Sequence, residues 1–336
     1  MKKVMALNFG DETCASSWYR ILQYQKPMLD LGVDLQAVPA SEWSRHRNLS
    51  GYDAVIIQKK LFSRFRVASI RRHARRLIYD LDDAIWHPHD RPHHWITNWR
   101  TDARVKAVAR SADCCVTANR VLADRLGQWG GRTTVVPMTL DDSVWTAPTE
   151  SDPVAKRLCV GWAGAPGNLQ YLEAIEPALQ RLLSRHPGIE LAVFCGQRPR
   201  FKSGLPYTHW PYQPGKEPEV SRRFDIGLLP LADNLFAAGK SPIKGLQYLA
   251  SGAAVVSTPL SATREILSEG ETALFASSLE DWFQALERLV TEESLRRSLA
   301  RNGRSVFAKR HTVRSQAPAL ARCWLGEDPA TPSVRA

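Results

Sequence analysis

Gly239-Lys-Ser-Pro-Ile-Lys-Gly-Leu-Gln-Tyr-Leu-Ala-Ser-Gly-Ala-Ala-Val-Val-Ser-Thr258 joins a polar helix start to a buried strand. Ser241 is a good N-cap, and Pro242 suits the first helical position, where its missing N–H is an orphan anyway and its φ is preset. Beyond it Ile243, Leu246, Leu249 and Ala250 share one face at helical spacing, leaving Lys244, Gln247 and Tyr248 on a second, polar face. Gly252 is placed to end the helix in a left-handed conformation. Ala253 to Val256 then reads as a short strand buried on both faces, closed by Pro259. Lys244 falls at the third helical position, where the macrodipole disfavours a cation. Either Lys240 and Lys244 both point into water, or they join the free N–H groups of the first turn to hold a phosphate or diphosphate.

The same alternation of strand and helix runs outward from this unit. Lys2 to Asn8 reads as a first strand, followed by a helix capped at Ser16 or Ser17 and kinked or split at Pro27. Strands follow at Val33 to Val38 and Ala54 to Gln58. Leu77 to Tyr79 is a strand running into Asp80-Leu81-Asp82-Asp83, then Trp86-His87-Pro88-His89 and His93-His94-Trp95. Ser111 to Thr117 is a further strand, with a helix from Asn119 and a strand at Thr133 to Pro137. Met138 to Pro153 lacks periodicity and is rich in Asp, Thr, Ser and Pro, which marks a linker. The rhythm restarts at Leu158 to Trp162. Gly161, Gly164 and Gly167 follow at three-residue spacing as a phosphate-approach loop, with Asn168 as the next helix cap and Pro177 as a kink. Strands at Ile189 to Cys195 and Phe224 to Leu229 precede the opening stretch. A strand at Ala273 to Phe275, a charged helix from Leu279 to Arg310 and a last helix from Ser315 to Leu325 follow it.

A chain of 336 residues, 44% hydrophobic and 24% charged, has the size and composition of a two-domain globular protein. No apolar run is long enough to span a membrane and the N-terminus lacks a signal core, which implies a cytoplasmic protein. The six cysteines show neither C-x-x-C nor paired-His spacing, against a zinc site and a disulfide framework alike. A net charge of +11 implies an anionic partner. Lys59 to Arg76 concentrates that charge around Phe62, Phe65 and Ile70. The segment is either a solvated helix face or a surface for anionic lipid at the inner membrane face, or for a polyanionic acceptor. The basic residues are not joined to a nucleic-acid motif, so no specific nucleic-acid partner is expected.

Three chemistries fit the acidic run, which sits where open α/β sheets place ligands. It could hold a divalent metal carrying a nucleotide, or Asp80 and Asp82 could serve a Mg-dependent phosphatase. Or Asp82 and Asp83 could face a sugar or acceptor without metal. The alternative to all three is that the carboxylates cap the next helix.

Several stretches resemble retaining glycosyltransferases of family four. They are Tyr19-Arg20, Tyr79-Asp80-Leu81-Asp82-Asp83, Val116 to Asn119, Val136-Pro137, Val160 to Gly164, Phe224 to Leu231 and Lys240 to Ser257. The resemblance implies an α/β protein of GT-B fold, with two Rossmann-like domains facing each other across a cleft and C-terminal helices crossing back. The expected division is 1–145 for the acceptor, 154–310 for the nucleotide sugar, 311–326 as a returning helix and 327–336 as a disordered tail. It implies transfer of a sugar from a nucleotide-diphosphate sugar, as co-substrate and with no cofactor or metal, to a sugar, lipid-linked, protein or small-molecule acceptor with retention. Asp82, Asp83 and Lys244 would be catalytic. Gly164, Lys240, Ser241, Lys244, Gln247, Tyr248 and Tyr212 would hold the donor, and Tyr19, Arg20, Trp86 and His87 would lie on the acceptor side. The family's paired glutamates, eight positions apart, are replaced here by Gly239 and Gln247. Hence the competing expectation is a weak or inactive relative that acts as a binding protein.

Overall fold

Short strands buried on both faces, each followed by a helix, require parallel sheets with helices on either side. The computed structural model describes residues 1–45, 48–87, 95–148 and 157–327. They form two units.

The first unit comprises Met1–Thr139, Gly239–Ser241 and the stretch from Val313. Its strands are β1 (Lys2–Asn8), β2 (Val33–Pro39), β3 (Ala54–Gln58), β4 (Leu77–Leu81), β5 (Cys114–Thr117) and β6 (Thr133–Val135), all parallel in the order β2-β1-β3-β4-β5-β6. Between them run α1 (Ala15–Arg20), α2 (Gln25–Asp30), α3 (Arg64–His73), α4 (Trp95–Ser111) and α5 (Arg120–Gln128). The strand order reverses between β1 and β3, and the carboxyl ends of strands at such a reversal are where open sheets bind ligands.

The second unit comprises Leu140–Ala238 and Pro242–Thr312. Its strands β7 (Cys159–Ala163), β8 (Glu190–Cys195), β9 (Thr208–Pro211), β10 (Ile226–Leu229), β11 (Ala254–Ser257) and β12 (Ala273–Phe275) lie parallel in the order β12-β11-β10-β7-β8-β9. The helices are α6 (Leu169–Ala174), α7 (Glu176–Arg185), α8 (Glu217–Ser221), α9 (Leu235–Ala238), α10 (Ile243–Ser251), α11 (Ser261–Arg264), α12 (Leu279–Thr291) and α13 (Glu293–Arg310). The reversal here falls between β7 and β10. The last helix, α14 (Val313–Leu325), belongs to the first unit, where Val313, Ala317, Leu320 and Trp324 pack with Val4, Ile56 and Met28. Arg76 donates to the Cys323 carbonyl at 3.1 Å and ties down its end.

Several elements differ from their sequence reading. The α1–α2 break falls at Ile21, ahead of Pro27, and neither Ser16 nor Ser17 caps α1. Cys14 is the cap residue, and both hydroxyls bond elsewhere. The charged helix from Leu279 is two helices, parted at Glu292 (φ −98°, ψ 78°). α4 went unread because its start is crowded with Trp, His and Pro, although Val105, Val108, Ala109 and Ala112 do recur at helical spacing and are buried. The expected linker is partly packed. Leu140 donates its N–H to the His311 carbonyl at 2.9 Å, and buried Trp145 accepts from Arg304 at 2.9 Å. The first unit's opening stretch runs to Thr139 and the second unit begins at Leu140. Residues 149–153 of the linker and 328–336 of the expected tail lie outside the described residues.

Candidate functional site

In the second unit α10 begins one position later than the sequence suggests. Pro242 is the cap residue (φ −83°, ψ 60°) and makes no side-chain capping bond, so Lys244 stands at the second helical position. Ser241 is not the cap; its hydroxyl donates instead to the Asp82 carbonyl at 2.7 Å, within the first unit. Gly252 ends the helix at φ 78°, a conformation that costs a residue without Cβ little.

From Gly245 to Ser251 every residue of α10 is buried, and only Ile243 and Lys244 keep partial exposure. A helix enclosed all round has no polar face to offer a ligand. This is why Tyr248, expected at the donor, is a core residue. Its hydroxyl accepts the Ala163 N–H at 2.9 Å, and its ring lies over Gly227, where a Cβ would come within 2.5 Å. Gly161, in register with Gly227, likewise makes room for Phe224. Gly164 sits against the Trp162 ring and donates to the Phe194 carbonyl at 3.2 Å. Two of the three spaced glycines thus serve aromatic packing. Gln247 is 1% exposed, inside α10's packing.

Lys244 is the polar group that remains at the helix start. Burial pulls its ammonium down to about 8, and the opposing influences are Glu217 and Cys195. The Tyr212 ring, 45% exposed, lies against Phe194 at 5.5 Å, and its hydroxyl donates to Glu217 at 2.9 Å. Tyr212, Glu217 and Lys244 therefore form one group, and a cation half-removed from water beside helix N–H groups is suited to an anion.

In the first unit a polar cluster spans the ends of β1, β3 and β4. Gln58 accepts the Phe9 N–H at 2.7 Å and donates to Ser16 Oγ at 3.0 Å; Ser16 Oγ donates to Asp82 Oδ2. Lys59 Nζ lies 3.4 Å from Asp82 Oδ1 and hydrogen-bonds Asp83 Oδ2. Asp82 is buried and Asp83 half-buried. Lys59 has φ 57°, the one positive value at a non-glycine among the described residues, and the Lys60 N–H donates to the Gln58 carbonyl at 2.6 Å. An i to i+2 bond around a positive φ is the strained form of γ-turn, and such backbone costs about 1–3 kcal/mol. Lys240, half-buried in the Gly239–Ser241 stretch, acts electrostatically on Asp83.

The acceptor-side residues fare differently. Arg20 is 2% exposed, with both carboxylate oxygens of fully buried Asp80 bound by its Nε (2.8 Å) and Nη2 (2.7 Å) and the Val136 carbonyl by Nη1 (2.9 Å). It braces α1 against β4. Asp80 so enclosed has no oxygen left to attack a phosphate, which corrects the phosphatase alternative. Trp86 is buried edge-on against Trp129 at 5.2 Å, in packing and not at a surface. Tyr19 and His87 are half-buried, and burial holds the His87 imidazole below its usual value. Pro88, His89, His93 and His94 lie outside the described residues, as does the side chain of Trp95.

Sequence reasoning missed Lys59, Ser16, Gln58 and Glu217. Gln58 ends β3 and Lys59 follows it, the kind of position that points to Asp82 after β4, but in the sequence Lys59 merges with the basic run that extends to Arg76. Among the described residues no three His, Cys, Asp or Glu side chains are grouped to hold a metal, and no helix is long and apolar enough to cross a membrane.

A family profile described as "Glycosyl transferase-like" matches residues 173–322. No curated protein matches the chain. Among solved structures, the sucrose-phosphate synthase of Thermosynechococcus elongatus is similar at 12% identity and TM-score 0.76, over 98% of this chain and 100% of that one. HepE of Anabaena, solved with UDP and glucose, is similar at 12% identity and TM-score 0.70, over 96% and 99%. A glycosyltransferase of Rickettsia africae is similar at 9% identity and TM-score 0.69, over 96% and 97%. At these identities the likeness establishes the architecture, two Rossmann-like units as in GT-B proteins.

Proposed function

We propose that the chain is a glycosyltransferase that moves a sugar from a nucleotide-diphosphate sugar to a hydroxyl acceptor, with retention and without a metal. Lys244 carries this reading: a half-buried ammonium at the first turn of α10, pulled toward neutrality by burial, gains its full charge when a diphosphate arrives. The matched family profile, which includes α10, and the solved structure that holds UDP and glucose support it. As the bond to the sugar breaks, negative charge builds on the leaving diphosphate, and Lys244 with the helix N–H groups stabilises it electrostatically. Lys240 adds positive charge ahead of α10. Tyr212, exposed and aromatic, lines the donor side beside Glu217, and Gly164 lies in the loop after β7. On the acceptor side Asp82 and Asp83 accept hydrogen bonds from sugar or acceptor hydroxyls, with Tyr19 and His87 nearby in the sequence's reading. The leaving phosphate takes the proton of the attacking hydroxyl.

Gly239 and Gln247 favour a second reading, a relative that binds nucleotide but turns it over weakly, because Gly239 has no side chain and Gln247 is enclosed. A thermal-shift panel of UDP-, GDP-, ADP-, CDP- and dTDP-sugars, followed by product analysis, separates the two. A stabilising hit with release of the nucleoside diphosphate supports transfer; a hit without release supports binding only, and no hit refutes both. For the acceptor's setting, α3 presents Phe65 at 89% exposure among exposed Arg64, Arg66 and Arg72, a combination suited to the edge of an anionic membrane.

A further inference from the structure

A residue held in a strained backbone conformation persists only when its surroundings over-determine it, and such residues gather at functional sites. Lys59 is held so. Its own N–H is engaged by the Asp80 carbonyl at 2.8 Å, the turn is closed by the Lys60 N–H on Gln58, and its ammonium reaches two residues beyond the end of β4. Gly would adopt the same φ without strain, so the backbone alone does not account for a lysine here.

The position is equally informative. β1 and β3 flank the point where the first sheet's strand order reverses, and Lys59 follows β3 directly. The Phe9 ring, just after β1, lies 5.6 Å from Lys59 Nζ and 5.7 Å from Lys60 Nζ. Gln58 and Ser16 hold Asp82 from the side opposite in the hydrogen-bond chain. Asp82 thus receives a neutral hydroxyl on one oxygen and faces a cation with the other.

We propose that Lys59 is a positioning residue: its γ-turn sets the ammonium between Asp82 and Asp83, where it holds the two side chains next to each other and opposes protonation of Asp83, so that both accept from the hydroxyls of the sugar or its acceptor. The role in transfer rests on the proposed function; the arrangement of charge does not. Two neighbouring carboxylates repel, and without a cation between them one takes up a proton and becomes a donor. Asp83 faces Asp82 beside it, Lys59 from the end of β3 and Lys240 from the Gly239–Ser241 stretch, while Asp80 behind Asp82 is already neutralised by Arg20 of α1. Burial and Asp82 push the Asp83 carboxyl above its usual range, and Lys59 is the larger of the two cationic influences that oppose this.

The test is a titration of protein labelled with ¹³C at the aspartate carboxyls, read for Asp83 in wild type, Lys59→Met, Lys59→Gly and Lys59→Arg. Lys59→Gly relieves the turn and keeps the experiment alive should Lys59→Met fail to fold. The expected result is an Asp83 midpoint about one unit or more higher in the Met and Gly variants and restored in Lys59→Arg. The acid limb of kcat/KM for nucleotide-sugar turnover should move up with it, while UDP or GDP affinity, whichever the wild type binds, stays within about twofold. An unmoved midpoint in a folded variant overturns the charge arrangement, and a moved midpoint with an unmoved acid limb overturns the positioning role. A wild type that turns over no nucleotide sugar refutes the proposed function instead, and the midpoint alone then decides Lys59.

Discussion

Arg20 is a buried cation and Lys244 a half-buried one, and their surroundings give them opposite work. Arg20 is matched oxygen for oxygen by Asp80, so removing it strands a carboxylate in the core. Arg20→Leu is expected to cost about 3–5 kcal/mol in urea denaturation, with loss below about 1 kcal/mol contradicting a bracing role. Lys244 has no such match, and its value is realised with a ligand. With its ammonium lowered to about 8 against an unfolded lysine near 10.4, the unfolded chain binds more protons between those values. Stability of the unliganded protein should therefore rise with pH across that window. Nucleotide affinity should do the reverse, declining as pH passes 8, and Lys244→Met should flatten both trends; calorimetry at graded pH measures them. The lysine was legible because a cation at a helix start is out of place. That Arg20, Tyr248 and Trp86 are buried is not legible, because sequence gives a polar group's identity but not whether a partner 60 or 85 residues away already satisfies it, as for Arg20 and Tyr248.

The helix α10 illustrates how far periodicity carries. Its existence, its Gly252 terminus and the strand after it follow from residue types alone. Its enclosure on every side does not, because that depends on which elements pack around it. Gly161 and Gly164 are the complementary lesson: spaced glycines near a strand end suggest a phosphate loop, yet here they admit the Phe224 and Trp162 rings, as Gly227 on the neighbouring strand admits that of Tyr248. Gly227→Ala should destabilise by about 1–3 kcal/mol through overpacking. In a double-mutant cycle with Tyr248→Ala that cost should largely vanish, because the ring that the new methyl meets is gone. Full additivity would contradict the packing. Strands such as Ala54–Gln58, apolar on both faces, are legible to the residue, whereas β9, with its exposed and half-buried Thr, His, Trp and Pro, gives no strand signal and the strand expected from Ser111 begins at Cys114; α4, with its aromatic and His-rich start, shows how local composition hides a period.

Across the whole chain, alternation of strand and helix makes the α/β architecture legible in the sequence. The donor's nucleotide and the acceptor were not readable, since they depend on loop shape. Of a net charge of +11, α3 sets exposed Arg64, Arg66 and Arg72 around exposed Phe65. Vesicles containing acidic phospholipid should retain the protein at low salt, and Phe65→Ser with Arg66→Ser should release it; equal retention by neutral vesicles would contradict an electrostatic surface. Placement of the donor's diphosphate at the start of α10 is tested by calorimetric titration of UDP, GDP, ADP, CDP and dTDP into wild-type protein and Lys244→Ala at pH 7. One or more of these should bind the wild type and bind the variant roughly ten- to hundredfold more weakly, as expected for loss of one charge-assisted bond, with the fold unchanged. Equal affinity in the two proteins, or no binding to either, would contradict it.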